Sequence, residues 1–409
     1  MFENNNRISR FLSSGYFNAV VLFIAVLRFF QFGIGNCTSV SQEWQAYELC
    51  SNYSYGSIKR SLLGTLVKLL SAVTGMEFKN TVTVFMNVEE FLFSFALLGL
   101  CFFVINKYKN PSVNLLILFL LSSDILGFYY SDWGEPDIVM MTLAIVIGIM
   151  IVREKYVWLV PFIASACVLI HEGFVMMYFG MVVALLLVQC LRKKGAERLR
   201  YFAILMTTGF MCGCLSAYFY FFTKHVINVG PYQFVDDAVQ KLGESVNASY
   251  LIESFWNAGQ GILNSGSPGY SFWLRMYAIA SVCIVLSPFI VNKFRFWREM
   301  IKGESDKLMK LAYLFCSLIF VFALPLVVSQ ADEARWFYAV VFQEVMLIIF
   351  LFMMDKEKAG ACIGRYMKPS LFNVMLSVFY LLLFSNPNKQ FIDMILVIIP
   401  YAMNWGSLL

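Results

Sequence analysis

Charged residues are scarce in this chain, and their scarcity is the first indication of its class. Asp, Glu, Lys and Arg make up 14% of the 409 residues, whereas 60% are hydrophobic. Soluble domains carry about 25% charged residues. The composition therefore excludes an ordinary soluble globular protein and predicts a polytopic membrane protein.

Short signatures of familiar soluble enzymes are also missing. The sequence has no P-loop, no dinucleotide-binding glycine pattern, no HExxH and no paired CxxC. The ten cysteines lie mainly in apolar runs, as expected of packing groups. The basic residues are distributed between these runs instead of along one groove, so nucleic acid is not a predicted partner.

Long apolar runs dominate what is present. A helix that crosses a hydrocarbon core of roughly 30 Å needs about 20 apolar residues. We predict an all-α, polytopic transmembrane helical bundle of about twelve spans, with residues 1–409 as a single integral-membrane domain. The predicted spans lie near residues 16–35, 83–105, 112–130, 136–152, 156–170, 173–190, 201–222, 270–291, 311–329, 336–354, 370–384 and 390–407.

The basic residues predict how the spans are oriented. Arg7 and Arg10 favour a cytoplasmic N-terminus, and one crossing per span then places about two thirds of the 31 Lys and Arg inside. Both termini are predicted to be cytoplasmic. The outward turns then lie near 36–82, 131–137, 171–173, 223–269 and 330–335.

The third outward turn puts ionisable groups inside an apolar run, "VLIHEGFVMM". The basic clusters at 153–155 and 192–200 are both predicted inside, so the segment between them must cross an even number of times. It is shorter than the roughly 40 residues that two full crossings need. The tip at 171–173 is therefore predicted to lie below the outer surface, in a cavity that is lined by protein and open to water.

The other outward turns carry further polar groups. Lys59 and Arg60 precede an amphipathic or re-entrant helix predicted near 61–74. The candidates in the remaining outward turns are Asp132, Trp133, Glu135 and Asp137 in the second turn, His225 in the long loop, and Asp332, Glu333 and Arg335 in the late turn.

Each motif also has a structural explanation. Proline and acids begin helices, as at 135–137. Long cations at membrane interfaces extend toward lipid head groups, as at 59–60 and 335. The pair at 171–172 could simply link helices, and residue 225 could be an ordinary loop histidine. A functional role is favoured over these structural explanations because all the motifs are predicted on the same side of the membrane.

Cations beside carboxylates and a histidine at an outer membrane face suit a lipid-linked diphosphate. Arginine and lysine would hold the diphosphate, and a carboxylate or imidazole would take the acceptor proton. The predicted diphosphate ligands are Lys59, Arg60 and Arg335. The predicted bases are His171 or Glu172 first, and Asp132, Glu135 or Asp137 second. The further candidates are Asp332, Glu333, Trp133 and His225.

The chain resembles the polytopic GT-C superfamily glycosyltransferases and the related Wzy-type bacterial polysaccharide polymerases. The resemblance is carried by "YGSIKRSLLG", "DWGEPDI", "HEGF" and "DEARWF" in the outer turns. It implies transfer of saccharide from a polyprenyl-diphosphate carrier at the outer or periplasmic face of a bacterial inner (plasma) membrane. It also implies a role in surface polysaccharides such as capsule, O-antigen or exopolysaccharide. The first outer loop departs from the GT-C pattern because its acids are Glu43, Glu48 and Glu77 instead of a catalytic Asp, which favours a polymerase-like enzyme.

Two other function classes stay open. A transporter or flippase for lipid-linked glycan would relay protons through His171 and the acids within the predicted spans, which are Glu89, Glu90, Asp124, Glu344 and Asp393. A membrane O-acyltransferase would use His171 as its base. No cofactor is required for glycosyl transfer, although the acids leave room for a divalent metal ion. The predicted partners are the polyprenyl-diphosphate-linked saccharide, the lipid bilayer and other surface-glycan assembly proteins.

One disulfide is predicted, between Cys37 and Cys50 in the first outer loop, if the compartment is oxidising.

Overall fold

The computed structural model describes residues 2–37, 44–56, 60–123, 125–221, 230–242, 283–284, 286–323 and 333–383. Throughout these residues the regular elements are helical, with no strand. Their packing divides the chain into two compact units. Unit 1 comprises 1–25, 100–125 and 265–409, and unit 2 comprises 26–99 and 126–264.

The helices are numbered in chain order. They are α1 (Phe2–Leu12), α2 (Tyr16–Arg28), α3 (Trp44–Glu48), α4 (Leu62–Thr74), α5 (Phe78–Tyr108), α6 (Pro111–Ser122), α7 (Ile125–Ser131), α8 (Pro136–Arg153), α9 (Val160–Ile170), α10 (Phe174–Met177), α11 (Phe179–Arg192), α12 (Gly195–Phe221), α13 (Pro231–Leu242), α14 (Ser287–Lys302), α15 (Lys307–Ser317), α16 (Glu333–Met354), α17 (Lys356–Tyr366) and α18 (Leu371–Leu383).

Six helical segments in the described part of the chain are long and apolar enough to cross a membrane. Each coincides with a predicted span, which confirms a helical integral membrane protein. The six segments are Tyr16–Asn36, Phe78–Tyr108, Pro111–Ser131, Pro136–Arg153, Gly195–Phe221 and Phe337–Met354. The predicted span at 390–407 and most of that at 270–291 lie outside the described residues. The total of twelve spans therefore stays a prediction.

The hairpin that carries the third outward turn is short, as predicted. Its helices α9 and α11 contain 11 and 14 residues, fewer than the roughly 20 of a full span. The first ends at His171, whose backbone is extended at φ −155° and ψ 124°. Both helices pack against α8 and α12, so the tip is supported by neighbouring helices of unit 2.

The amphipathic helix predicted near 61–74 is confirmed as α4. It ends at Gly75, whose φ of +67° is the left-handed conformation that commonly closes helices. Its buried side consists of Leu63, Gly64 and Val67, while three leucines and Val73 on its other side are exposed. The helix therefore presents an apolar surface within the predicted first outer loop.

Unit 1 contains a buried ion pair between two helices. Lys293 Nζ on α14 donates a hydrogen bond to Glu344 Oε1 on α16 over 2.6 Å. Both side chains are almost fully buried, 7% and 3% exposed. Near the surface of the same unit, Arg365 Nη1 lies 2.9 Å from Glu299 Oε2 in a pair whose arginine is 65% exposed.

The predicted sidedness can be tested with single cysteines at exposed or half-exposed positions. Thr74→Cys and Asp132→Cys should react with an impermeant maleimide on intact cells, because both lie in turns that the distribution of Lys and Arg predicts outside. Lys155→Cys, Lys194→Cys and Glu357→Cys should react only after permeabilisation. Labelling of Asp132→Cys from inside alone would place the second turn on the opposite face.

Candidate functional site

Arg60 is held between two glutamates from distant parts of unit 2. Its Nε and Nη2 donate to Glu172 Oε2 and Oε1 over 3.2 and 3.1 Å. Its Nη1 donates to Glu48 Oε1 over 3.0 Å. The two-pronged contact with Glu172 is the forked geometry in which arginine binds carboxylates and phosphates most strongly. The structure thus brings together a predicted diphosphate ligand and a predicted base.

The backbone of Arg60 is strained. Its φ is +60°, a left-handed conformation that costs about 1–2 kcal/mol for a residue with a side chain. Such strain persists only where surrounding contacts determine the conformation, and it often occurs at functional sites. The ion pairs with Glu48 and Glu172 supply such contacts.

The segment 49–53 fixes the start of α4 beside Arg60. Ser51 Oγ and Ser61 Oγ are 2.9 Å apart, and the Tyr53 N–H donates to Thr65 Oγ1 over 2.9 Å. Gly64 allows the closest approach, because a Cβ there would lie 1.8 Å from Ser51 O. Only glycine therefore fits at this position without moving the backbone.

His171 is buried, and its ring is oriented by the hairpin tip. Its Nδ1 accepts a hydrogen bond from the Gly173 N–H over 2.8 Å. The neutral ring in this arrangement carries its proton on Nε2, so it offers a donor there. The Nδ1 lone pair is thus already occupied. Because the side chain of His171 is 4% exposed and that of Glu172 is 28% exposed, Glu172 is the first-choice base that an acceptor could reach.

The second turn packs its motif against α5. Trp133 Nε1 donates to Asn87 Oδ1 over 2.9 Å, and the Gly134 N–H reaches Glu90 Oε1 at 3.4 Å. Gly134 has a φ of +84°, and a Cβ there would lie 2.3 Å from the end of the Met86 side chain. Trp133 thus anchors the turn, which is a structural role for a residue predicted as a further site candidate.

The three acids of this turn differ in exposure. Asp132 is half-buried, whereas Glu135 and Asp137 are buried. Glu135 caps α8 through its backbone, and its side chain makes no capping hydrogen bond. The structural explanation of the Glu-Pro-Asp sequence as a helix start is therefore confirmed for the backbone.

Two tyrosines missed by the sequence analysis connect the second and third turns. The hydroxyl groups of Tyr129 and Tyr178 are 3.5 Å apart, and both side chains are buried. Their positions in the sequence could have indicated them, since Tyr129 lies shortly before "SDWGEPD" and Tyr178 directly follows "HEGFVMM".

Helix α13 brings a further cation to the predicted first outer loop. Lys241 Nζ donates to Tyr55 Oη over 2.9 Å and also pairs with Asp237. Phe234 of the same helix packs edge-on against Tyr55, with ring centroids 5.2 Å apart. Sequence analysis missed Lys241 because its loop carried no motif. The i,i+4 spacing of Asp237 and Lys241 could have indicated a helix.

The predicted disulfide is wrong, because Cys37 and Cys50 are both free thiols. The Sγ of Cys50 points back to Ala46 O at 3.6 Å, and that of Cys37 to Ile34 O at 3.3 Å. Each thiol is thus turned toward a carbonyl in its own segment. Burial raises the pKa of the Cys50 thiol to about 12, with Lys241 partly opposing the rise.

We expect these two thiols to differ strongly in reactivity. The thiolate is the nucleophile, so at pH 8 buried Cys50 should resist iodoacetamide until the protein is denatured. Cys37 is half-buried and should react in the native protein. Peptide mass spectrometry after alkylation with and without denaturant measures both. If neither cysteine of the denatured protein is alkylated until a reductant is added, the two cysteines form the predicted disulfide after all.

The remaining predicted residues are distributed as follows. Lys59, His225 and Asp332 lie outside the described residues, and so does the side chain of Glu333, the first residue of α16. Arg335 is buried on α16 and belongs to unit 1. Among the described residues, no group of three or more His, Cys, Asp or Glu could hold a metal ion.

No family model, curated protein or solved structure matches the chain.

Proposed function

We propose that this protein is a membrane glycosyltransferase or polysaccharide polymerase. It transfers saccharide from a polyprenyl-diphosphate carrier at the extracytoplasmic face, in surface polysaccharide biosynthesis. The observation that carries the proposal is the paired contact of the half-buried Arg60 guanidinium with the Glu172 carboxylate, which we call the Arg60 fork. It lies beside the apolar helix α4. Arg335 stays a predicted second diphosphate ligand.

The surroundings of Arg60 suit an anion with an apolar tail. Helix α4 begins two residues later and exposes Leu66, Leu69, Leu70 and Val73. An interfacial helix with such a face lies in the boundary between head groups and acyl chains. A carrier lipid could place its diphosphate at Arg60 and its isoprenoid chain along this face.

The chemistry proposed for the site is a direct displacement. The acceptor hydroxyl oxygen forms a bond to the anomeric carbon while the bond from that carbon to the diphosphate oxygen breaks. The acceptor proton goes to the Glu172 carboxylate, and the electron pair leaves with the diphosphate. Arg60 stabilises the charge that develops on the leaving group, because its donors are fixed before the reaction.

Lysine substitution tests the fork directly. Arg60→Lys keeps the charge but loses the paired donors, and hydrogen bonds to charged groups contribute about 1.5–3 kcal/mol. We expect kcat/KM for transfer from a polyprenyl-diphosphate saccharide to fall about tenfold or more. Arg335→Lys should have a similar effect, whereas the exposed control Arg365→Lys should not. The assay follows longer glycan and released carrier diphosphate with purified protein in nanodiscs.

A second candidate function, a proton-coupled transporter or flippase, is favoured by one observation. Glu89 and Glu90 are buried side by side in the span formed by α5. Within the described structure, neither carboxylate oxygen of Glu89 has a hydrogen-bond partner. Carboxylic acids in this position often belong to proton or ion pathways. The transporter would become the better proposal if no donor gives product and the protein shows proton-coupled uptake that Glu89→Gln abolishes.

A further inference from the structure

The two glutamates on Arg60 are not equivalent. Glu48 is 3% exposed and contacts the single donor Nη1, whereas Glu172 is 28% exposed and takes the paired donors Nε and Nη2. Glu48 lies at the end of α3, twelve residues before Arg60 and close to the backbone that Gly64 contacts. Glu172 lies at a hairpin tip, between an extended histidine and a glycine. The buried contact is thus the fixed one, and the exposed contact can be exchanged.

The edge of Arg60 that Glu172 occupies is the edge that a phosphate would use. A guanidinium binds carboxylate and phosphate oxygens with the same parallel pair of N–H groups. The two anions therefore compete for one pair of donors. Meanwhile Nη1 remains on Glu48, so the guanidinium keeps its orientation during the exchange.

We infer that Glu172 is a built-in competitor for the diphosphate-binding edge of Arg60, and that a bound diphosphate displaces it. Glu48 acts as the positioning residue that holds Arg60 during the exchange. The inference rests on the proposed function for the identity of the anion as a carrier diphosphate. It adds that the ion pair with Arg60 masks the base and that the substrate itself releases it.

The displacement has a consequence that a fixed ion pair would not have. Removing the charge of Glu172 should help the anion to bind, even though it removes the base. Removing the charge of Glu48 should hinder binding, because a neutral amide holds the Arg60 guanidinium more weakly than a carboxylate does. The two Glu→Gln changes thus have opposite effects on affinity, although each breaks one ion pair of the same arginine.

The test uses the purified full-length protein in detergent at low ionic strength, titrated with inorganic pyrophosphate in a calorimeter. We expect Glu172→Gln to tighten the dissociation constant about tenfold or more, since one charge-assisted contact no longer competes. Glu48→Gln should weaken it. Glu154→Gln, which breaks the exposed pair with Lys193, is the matched control and should leave it unchanged.

A double-mutant cycle assigns the effect to Arg60. In an Arg60→Met background, Glu172→Gln should no longer tighten pyrophosphate binding, because the contested donors are gone. Unchanged or weaker binding in Glu172→Gln, with a folded protein by thermal unfolding, would overturn the inference. If that variant does not fold, Glu172→Asp takes its place. It keeps the charge but shortens the side chain, so it too should tighten binding, and unchanged or weaker binding in it would equally overturn the inference.

The outcome also separates this inference from the proposed function. If Glu172→Gln binds pyrophosphate more tightly but no donor gives glycan product, the competition between Glu172 and the anion is retained and the proposed transferase function is rejected. Glycan product from the wild type without any change in pyrophosphate affinity would reject the competition and retain the transferase.

Discussion

Glutamine at position 172 should slow glycosyl transfer about 100-fold or more, which is the lower range of the contribution of general base catalysis. Glu172→Gln cannot take the acceptor proton, so the loss should appear in kcat. The KM for the carrier lipid should fall, because the competing charge at Arg60 is removed. Initial rates with a polyprenyl-diphosphate saccharide at several concentrations separate the two constants.

His171→Ala provides the comparison. Alanine would leave the Gly173 N–H without its acceptor and loosen the tip, so transfer should also fall, but by less than in Glu172→Gln. Equal rates for the wild type and both variants would remove these residues from the chemistry. The cluster Asp132, Glu135 and Asp137 would then be the next candidate for the base.

Methionine in place of Lys293 should cost about 3–5 kcal/mol of stability, because it leaves the Glu344 carboxylate buried without its cationic partner. The measurement is the free energy of unfolding in mixed detergent micelles. Unfolding transitions for the wild type and variant must be reversible for the comparison to hold.

Two variants show whether the cost comes from the unpaired charge. Adding Glu344→Met to Lys293→Met should recover most of the lost stability, since two apolar side chains of similar size replace the pair. Arg365→Met breaks the exposed pair with Glu299 and should cost no more than about 1 kcal/mol. If Lys293→Met lowers the free energy of unfolding by as little as Arg365→Met does, the buried pair does not make the expected contribution to stability.

The apolar runs predicted the long helices well, because a span is determined by composition over about 20 residues. Helix α4 was also predictable, since its apolar residues recur with helical spacing after Lys59 and Arg60. Helix α13 was missed because it is short, polar and part of a long loop. Its position depends on contacts of Phe234 and Lys241 with Tyr55, which are far away in the sequence.

Topology predicted which turns share a side of the membrane but not which side chains meet. Arg60 and Glu172 were both candidates, yet their pairing depends on the left-handed backbone at Arg60 and the extended backbone at His171. Neither conformation has a reliable sequence signal for these residue types. The error at Cys37 and Cys50 has the same origin, because spacing along the chain does not determine the direction of a side chain.

The two partners of Arg60 enter the growing chain at very different times. Glu48 is made 12 residues before it, but Glu172 is made 112 residues after it. At about 5–20 residues per second, Glu172 follows Arg60 by roughly 6–22 s. During that interval the contact between Arg60 and Glu172 cannot form. Completion of the ion pairs around Arg60 therefore waits for this late, long-range contact.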